Sequence, residues 1–323
     1  MTDLLAAELL RLRSRIAVWA LLGVALLAVV AFMVGQAVTH VDDYDQASRQ
    51  FAIDRADGYE TARTAYLLTL KSVGAAQLST DARDISVQEY VAGHEFFGGV
   101  TEVPSRRFSL RDQMPEITKS VSVIFVLAGF MIGATYAGAD WGARAIHVLL
   151  AWDSRRGRVL LAKLIVVGLA VAASTMAGHL LAQVMGGATG IFRGTNAGVD
   201  GAWWLSELSA AGRGALLAAM ASALGFVLAF GARSTGFALG LGFLYLSMAE
   251  SLLLAWRPRL EPHLLRGAAN AFLDGGNTIM IYSTGREPVQ LAVAMGSASG
   301  TLALFLVVPV LACLFSFTRR DVL

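Results

Sequence analysis

Two charged side chains lie where water is expected to be scarce. Arg213 falls about eight residues inside one apolar run and Glu250 about six residues before the end of the next, roughly 12 Å and 9 Å deep at the helical rise. Charges inside a membrane pair with one another or line a cavity. The expectation is a membrane charge pair, Arg213 with Glu250, or two groups facing one outer vestibule. The alternative is that the runs begin further along and both groups sit among headgroups. Covalent chemistry has no comparable anchor. His94, His147, His179 and His263 are scattered, with no two at ligand spacing on one helix, and His40 beside Asp42 and Asp43 reads as a solvated face. No Ser or Cys sits in a nucleophile elbow and no His-Glu-x-x-His run is present. Neither a metal site, a catalytic residue nor an enzyme activity of this chain alone is expected.

The second chemically informative stretch is Gly138 to Lys163, a short basic amphipathic segment between two long apolar runs. Ala145, Val148, Leu149 and Trp152 fall at i, i+3, i+4 and i+7, a helical stripe, with Arg144 and His147 away from it. The segment is too short and too charged to cross a bilayer, and its tryptophans suit an interface. Ser154 can cap the next helix. Arg155, Arg156 and Arg158 can pin it to headgroups, and Lys163 can snorkel back to them.

The elements that position these residues follow from hydropathy. Of 323 residues 56% are hydrophobic and 15% charged, against about 25% charged in soluble domains. The excess is gathered into about six runs near the 20 residues a membrane helix needs. They cover 16–37, 117–139, 158–185, 205–232, 236–256 and 289–317. The first is longer than the 7–15 apolar residues of a signal core, and Asp3 and Glu8 precede it, so it reads as a retained span. A net charge of +2 gives no electrostatic basis for binding nucleic acid. The one cysteine, Cys313, leaves no intrachain disulfide and no cysteine metal cluster.

Residues 2–15 read as an interfacial helix, with Leu5, Leu9 and Leu12 on one face and Glu8, Arg11 and Arg15 on another. The bland alternative is a basic flank that orients the first span. The long 38–115 region is acid-rich near its start, and Tyr59, Ala62, Tyr66 and Leu70 keep a helical stripe. A helical extracytoplasmic insertion is expected there. Residues 257–288 carry Pro258, Pro262, Gly275, Gly276 and Pro288, and 260–283 reads as either re-entrant packing or ordinary loop. Gly129-x-x-x-Gly133 and Gly236-x-x-x-Gly240 permit close helix approach. Arg11, Arg13, Arg15, Arg144, Arg155, Arg156, Arg158, Arg233, Arg319 and Arg320 flank one set of ends, which the positive-inside rule makes cytoplasmic. Arg257, Arg259, Arg266 and Arg286 oppose it from the other side but are fewer. Both termini are therefore expected in the cytoplasm of a cell (plasma) membrane protein.

The run Gly138-Ala-Asp-Trp141, then Leu149-Leu-Ala-Trp-Asp153, then Arg155-Arg-Gly-Arg-Val-Leu-Leu-Ala-Lys163 resembles the permease subunits of the second type of ATP-binding-cassette (ABC) exporter, the actinobacterial stand-alone permeases above all. Arg107-Phe-Ser-Leu110, the Gly-rich second span and the Phe317 to Asp321 ending look similar too. The likeness covers most of the chain, but its specific part is about 107–165. It departs at Arg144-Ala145, where that family commonly has Gly-Thr.

The resemblance implies an all-α membrane protein of six transmembrane helices, with a cytoplasmic coupling helix in 140–157. Asp140, Trp141, Arg144, Val148, Leu149, Trp152, Asp153, Arg155 and Arg156 would form the contact with an ABC ATPase. It also implies a second permease copy or a paralogue as partner, in the lipid bilayer, with the second and fifth spans meeting across the dimer. The chain has no Gly-x-x-x-x-Gly-Lys-Ser/Thr loop, so ATP and Mg belong to the separate nucleotide-binding subunit and this chain binds no cofactor itself. A greasy path lined by Leu, Val, Ala and Phe suits a lipid-like, drug or antibiotic compound. Two other classes stay open: a secondary transporter or channel, and a non-transporting membrane scaffold or sensor built on the outer region.

Overall fold

A computed structural model describes residues 2–39, 60, 63, 64, 68, 108–143, 145–146, 155–283 and 286–319. The protein is an all-α membrane protein with six helices long and apolar enough to cross a bilayer. Helix α1 is Thr2–Arg13 and α2 is Ile16–Thr39. Helix α3 is Leu110–Gly142, α4 is Arg156–Arg193 and α5 is Gly201–Ala232. Helix α6 runs Thr235–Trp256, α7 Leu265–Asp274 and α8 Met295–Arg319. The insertion expected within 38–115 falls almost wholly outside the described residues, as do Arg144, Val148, Leu149, Trp152 and Asp153.

The chain divides into two compact units. The smaller comprises Val34–Ser109 and Thr189–Asn196. Within it, β1 (Phe108–Ser109) pairs in parallel with β2 (Gly194–Thr195), and Arg193 donates to the Ala37 carbonyl at 2.9 Å. The larger unit holds Met1–Met33, Leu110–Ala188 and Ala197–Leu323.

Inside the larger unit, helix ends follow local chemistry. Asp200 caps α5 by accepting from the Trp203 backbone N–H at 2.8 Å. Ser234 caps α6 in the same way through Phe237, at 3.2 Å. Between them Arg233, at φ 57°, terminates α5 in a left-handed turn. One π-helical turn, Tyr245–Ala249, interrupts α6 just before Glu250. Such turns add a residue to the helix and turn the following side chains to a new face. Gly275, at φ 76°, gives α7 its left-handed stop.

The helices packed most deeply are α3, α4 and α5. Close approach of α3 to α5 rests on missing side chains. A Cβ on Gly129 would stand 2.8 Å from the Ala218 carbonyl oxygen, and one on Gly133 would overlap the Ser222 carbonyl. Gly129 and Gly133 thus pack spans of the same chain. Gly240 meets nothing within 4 Å and Gly236 touches only the Ser234 hydroxyl, so neither makes a close helix contact among the described residues.

Two stretches differ from the sequence reading. Helix α4 continues through Gly186, Gly187 and Gly190 to Arg193, because glycine lowers helix propensity without forbidding a helix between packed neighbours. Residues 277–293 form an antiparallel hairpin, β3 (Asn277–Ser283) with β4 (Arg286–Val293), so the last helix begins at Met295 and not at 289. The β-branched and alternating run from Thr278 to Ile281 favours a strand. In the 257–288 stretch, α7 lays Ala268, Ala271, Phe272 and Leu273 against Leu217 of α5 and Ala298 and Leu302 of α8.

Candidate functional site

Six ionic or phenolic side chains from four helices or their ends converge near the arginine-rich helix ends. Lys163 of α4 donates to Glu8 Oε2 of α1 and to Asp140 Oδ2 of α3, each at 2.7 Å. Tyr136, one turn before Asp140, donates its hydroxyl to the same Glu8 oxygen at 2.6 Å. Arg15, at the start of α2, donates to Asp140 Oδ1. Arg11 donates to Glu8 Oε1 at 2.9 Å. The Lys163 ammonium lies 5.1 Å from the Tyr136 ring centroid, a cation–π distance.

The local sequence explains the convergence. Tyr136 and Asp140 are i and i+4 on α3, and Glu8, Leu12 and Arg15 share one side of the N-terminal segment. Lys163 and Glu8 are 1% and 0% exposed, so these are desolvated ions compensated by the members of the cluster. Two carboxylates face three cations, with each carboxylate oxygen engaged. The cluster fastens α1, the head of α2, the tail of α3 and the head of α4 together, on both sides of the 144–154 segment.

This geometry departs from the expectations at Lys163 and on α1. Lys163 does not snorkel outward, because two carboxylates hold it inside. Asp140 is 2% exposed and engaged by Lys163 and Arg15. On α1 the buried face carries Glu8 and Leu12 while Leu9 is 55% exposed, because pairing Glu8 with Lys163 rotates the helix away from a simple leucine stripe. Trp141 packs against Phe230 with centroids 5.4 Å apart and lies under the Arg233 guanidinium at 4.6 Å. Arg155 is exposed just ahead of α4. Arg156 donates to the Phe317 carbonyl at 3.1 Å.

The two intramembrane charges singled out in the sequence do not form an ion pair with each other. They bracket α7. Glu250 Oε1 accepts the backbone N–H of Arg266 in the first turn of α7, at 2.7 Å. Arg213 Nε donates to the Leu273 carbonyl in its last turn, at 3.1 Å. A carboxylate at the N-terminus and a guanidinium at the C-terminus both complement the helix dipole. Leu264, the residue at the N-cap, makes no side-chain cap, so Glu250 supplies from another helix what the local sequence lacks. Lys119 of α3 adds an ion pair to Asp274 at 2.9 Å. The pairing expectation failed because a helix end offers each charge a nearer partner than the other charge does.

A smaller polar cluster crosses α3, α4 and α5. Thr118 donates to Glu207 Oε2 at 2.8 Å, and Ser122 Oγ lies 3.3 Å from His179 Nε2. All four side chains are buried. The sequence reading left Thr118, Ser122 and Glu207 aside, and treated His179 as one of the scattered histidines; an α-helical wheel of α5 would have put Glu207 in line with Ala211 and Gly214 on the packed face. Among the described residues no group of three or more His, Cys, Asp or Glu could hold a metal ion.

The chain matches no family model, no curated protein and no solved structure. Fold and site define its class: a multi-pass helical membrane protein with a buried ionic clamp near one end of its spans and a charge-bracketed helix packed on the bundle.

Proposed function

We propose that this chain is the membrane-spanning permease subunit of an ATP-driven ABC exporter. It would form the substrate pathway and be driven by a separate ATPase subunit that carries ATP and Mg. The observation that carries this reading is the Glu8–Lys163–Asp140 clamp. A segment that receives a mechanical push is useful only if its flanking helices move as one body. Here α3 leads into 144–154 and α4 leads out of it, and Lys163 ties both to α1. A displacement of the segment therefore reaches three helices together, and rigid-body movement of packed elements is how such displacements travel. The resemblance of 138–163 to coupling segments supplies the identity of the driver.

The charge-bracketed α7 gives the pathway a cover on the side away from the clamp. Its apolar face seals against α5 and α8, and its two ends are held by polar groups that can part without breaking a backbone element. An apolar pathway favours a lipid-like, drug or antibiotic compound.

A secondary transporter is the second reading, and the buried Thr118, Ser122, His179 and Glu207 cluster is what favours it. One experiment separates the two. Tagged protein is purified from native membranes in mild detergent, and co-purifying chains and ATPase activity are measured. The exporter reading expects a stoichiometric soluble ATPase, lost when Val148, Leu149 and Trp152 are changed to Ser. A chain that purifies alone, yet moves substrate in vesicles under a proton gradient, establishes the second reading.

A further inference from the structure

We propose that the notch between the α5–α6 turn and the end of α8 binds the headgroup of an anionic phospholipid, with Arg233 as its phosphate ligand. The notch is lined by Trp141, Phe230, Arg233, Cys313, Ser316 and Phe317 and is shallow and open to the surface. Its floor is apolar and aromatic, and its rim carries the cation. That division matches a glycerophospholipid, whose acyl-glycerol end needs greasy contact and whose phosphate needs charge. A free phosphate would have no use for the walls made by Phe230, Cys313 and Phe317.

Three independent features place an anion at the rim. First, Arg233 is the one non-glycine among the described residues with positive φ, at 57°. Helix stops of this kind favour Gly or Asn. An arginine there is disfavoured by its backbone, and the side chain is what the position gains. Second, the guanidinium is exposed, lies over the Trp141 ring at 4.6 Å, and has no carboxylate within ion-pair distance among the described residues. Asp140, the acid next to Trp141 in sequence, is buried and spent on Lys163 and Arg15. Third, α6 begins two residues later, and its first turn adds the positive end of a helix dipole. Arg156 reinforces the rim from α4, stacked 5.9 Å from the Phe317 ring that forms one wall. Tryptophan and arginine together at the ends of membrane helices are the usual furniture of the headgroup layer.

The test uses native mass spectrometry of the purified full chain, titrated with phosphatidylglycerol or with phosphatidylcholine of the same acyl chains. Wild-type protein is expected to retain phosphatidylglycerol preferentially. Arg233→Gln should lower that preference about fivefold, the contribution of one basic residue at a membrane surface. Arg233→Gly relieves the left-handed backbone, so it should fold at least as stably as wild type and still lose the preference. That variant separates ligand binding from a structural role of the turn. Equal phosphatidylglycerol retention in wild type and Arg233→Gly overturns the proposal. So does a preference that millimolar inorganic phosphate abolishes, which would make the notch a free-anion site. Loss of a co-purifying soluble protein with lipid retention unchanged would make Arg233 a docking contact and overturn it equally.

Discussion

The protein handles buried charge in two different ways. Around Lys163 the charges meet side chain to side chain: an ammonium between two carboxylates, with a phenol and two guanidiniums completing the shell. Around α7 they meet side chain to backbone: Glu250 at one end of the helix, Arg213 at the other, and no ion pair between them. The first arrangement ties several helices into one body, and removing Lys163 alone strands two desolvated carboxylates. The second holds a single short helix by its two ends, and each hold is one hydrogen bond strengthened by a dipole. The contrast teaches where the molecule is built to stay together and where it is built to come apart.

The sharpest way to break the contrast is at Lys163. Lys163→Met leaves Glu8 and Asp140 facing one another without their shared cation, which costs about 3–5 kcal/mol for a buried pair. Thermal unfolding in detergent should show a fall in Tm by far the largest of the substitutions discussed, and the triple change Lys163→Met with Glu8→Gln and Asp140→Asn should recover much of it. If Lys163→Met melts like wild type, the clamp carries no stability and the contrast collapses.

Next in size is the close approach that supports the clamp from within the bundle. Gly133→Ala puts a Cβ onto the Ser222 carbonyl, and overpacking of this kind costs about 1–3 kcal/mol. Gly240→Ala, with open space around it, should leave Tm unchanged and could raise it slightly through helix propensity. Equal effects at the two glycines would contradict the α3–α5 packing.

The α7 bracket should respond locally, within one helix. Glu250→Ala leaves the Arg266 N–H without its acceptor, at a cost of about 1–3 kcal/mol, and hydrogen exchange of the first turn of α7 should accelerate while the clamp region is unchanged. Arg213→Ala should loosen the last turn by about 0.3–1 kcal/mol. In a double-mutant cycle the two should add, because they hold opposite ends of one helix and do not touch. Strong coupling between them would restore the direct pair that the sequence suggested. The smallest effect is expected at Lys119→Ala, whose partly exposed pair with Asp274 is worth under about 1 kcal/mol and weakens with salt.

The class of fold was legible in the sequence because it rests on a one-dimensional signal. A run of apolar residues announces a span wherever its neighbours lie, and the six spans follow from length and hydropathy alone. The site was legible only in part. Arg213 and Glu250 were visible as charges in an apolar setting, but their partners are backbone groups of α7, and backbone groups carry no sequence mark. Lys163 and Asp140 were noticed, but their mutual ion pair was not, since nothing near them in sequence announces Glu8, which is 155 residues from Lys163 in the chain. Glu8 itself was read onto the polar face of α1, as any glutamate beside leucines would be. The hairpin at 277–293 was missed because glycine and proline around it signalled loop while its strand residues were few.

The Glu8–Lys163–Asp140 clamp is proposed to make the helices flanking 144–154 move as one. The most direct measurement is ATP-driven transport per ATP hydrolysed, in proteoliposomes containing this chain with the ATPase proposed as its partner, for wild type and for the clamp-neutral triple variant. The triple variant is expected still to bind that ATPase and to hydrolyse ATP, with transport per ATP falling at least about tenfold, a loss of 1.4 kcal/mol or more in coupling. Transport per ATP equal to wild type would contradict it and reduce the clamp to a structural ion cluster.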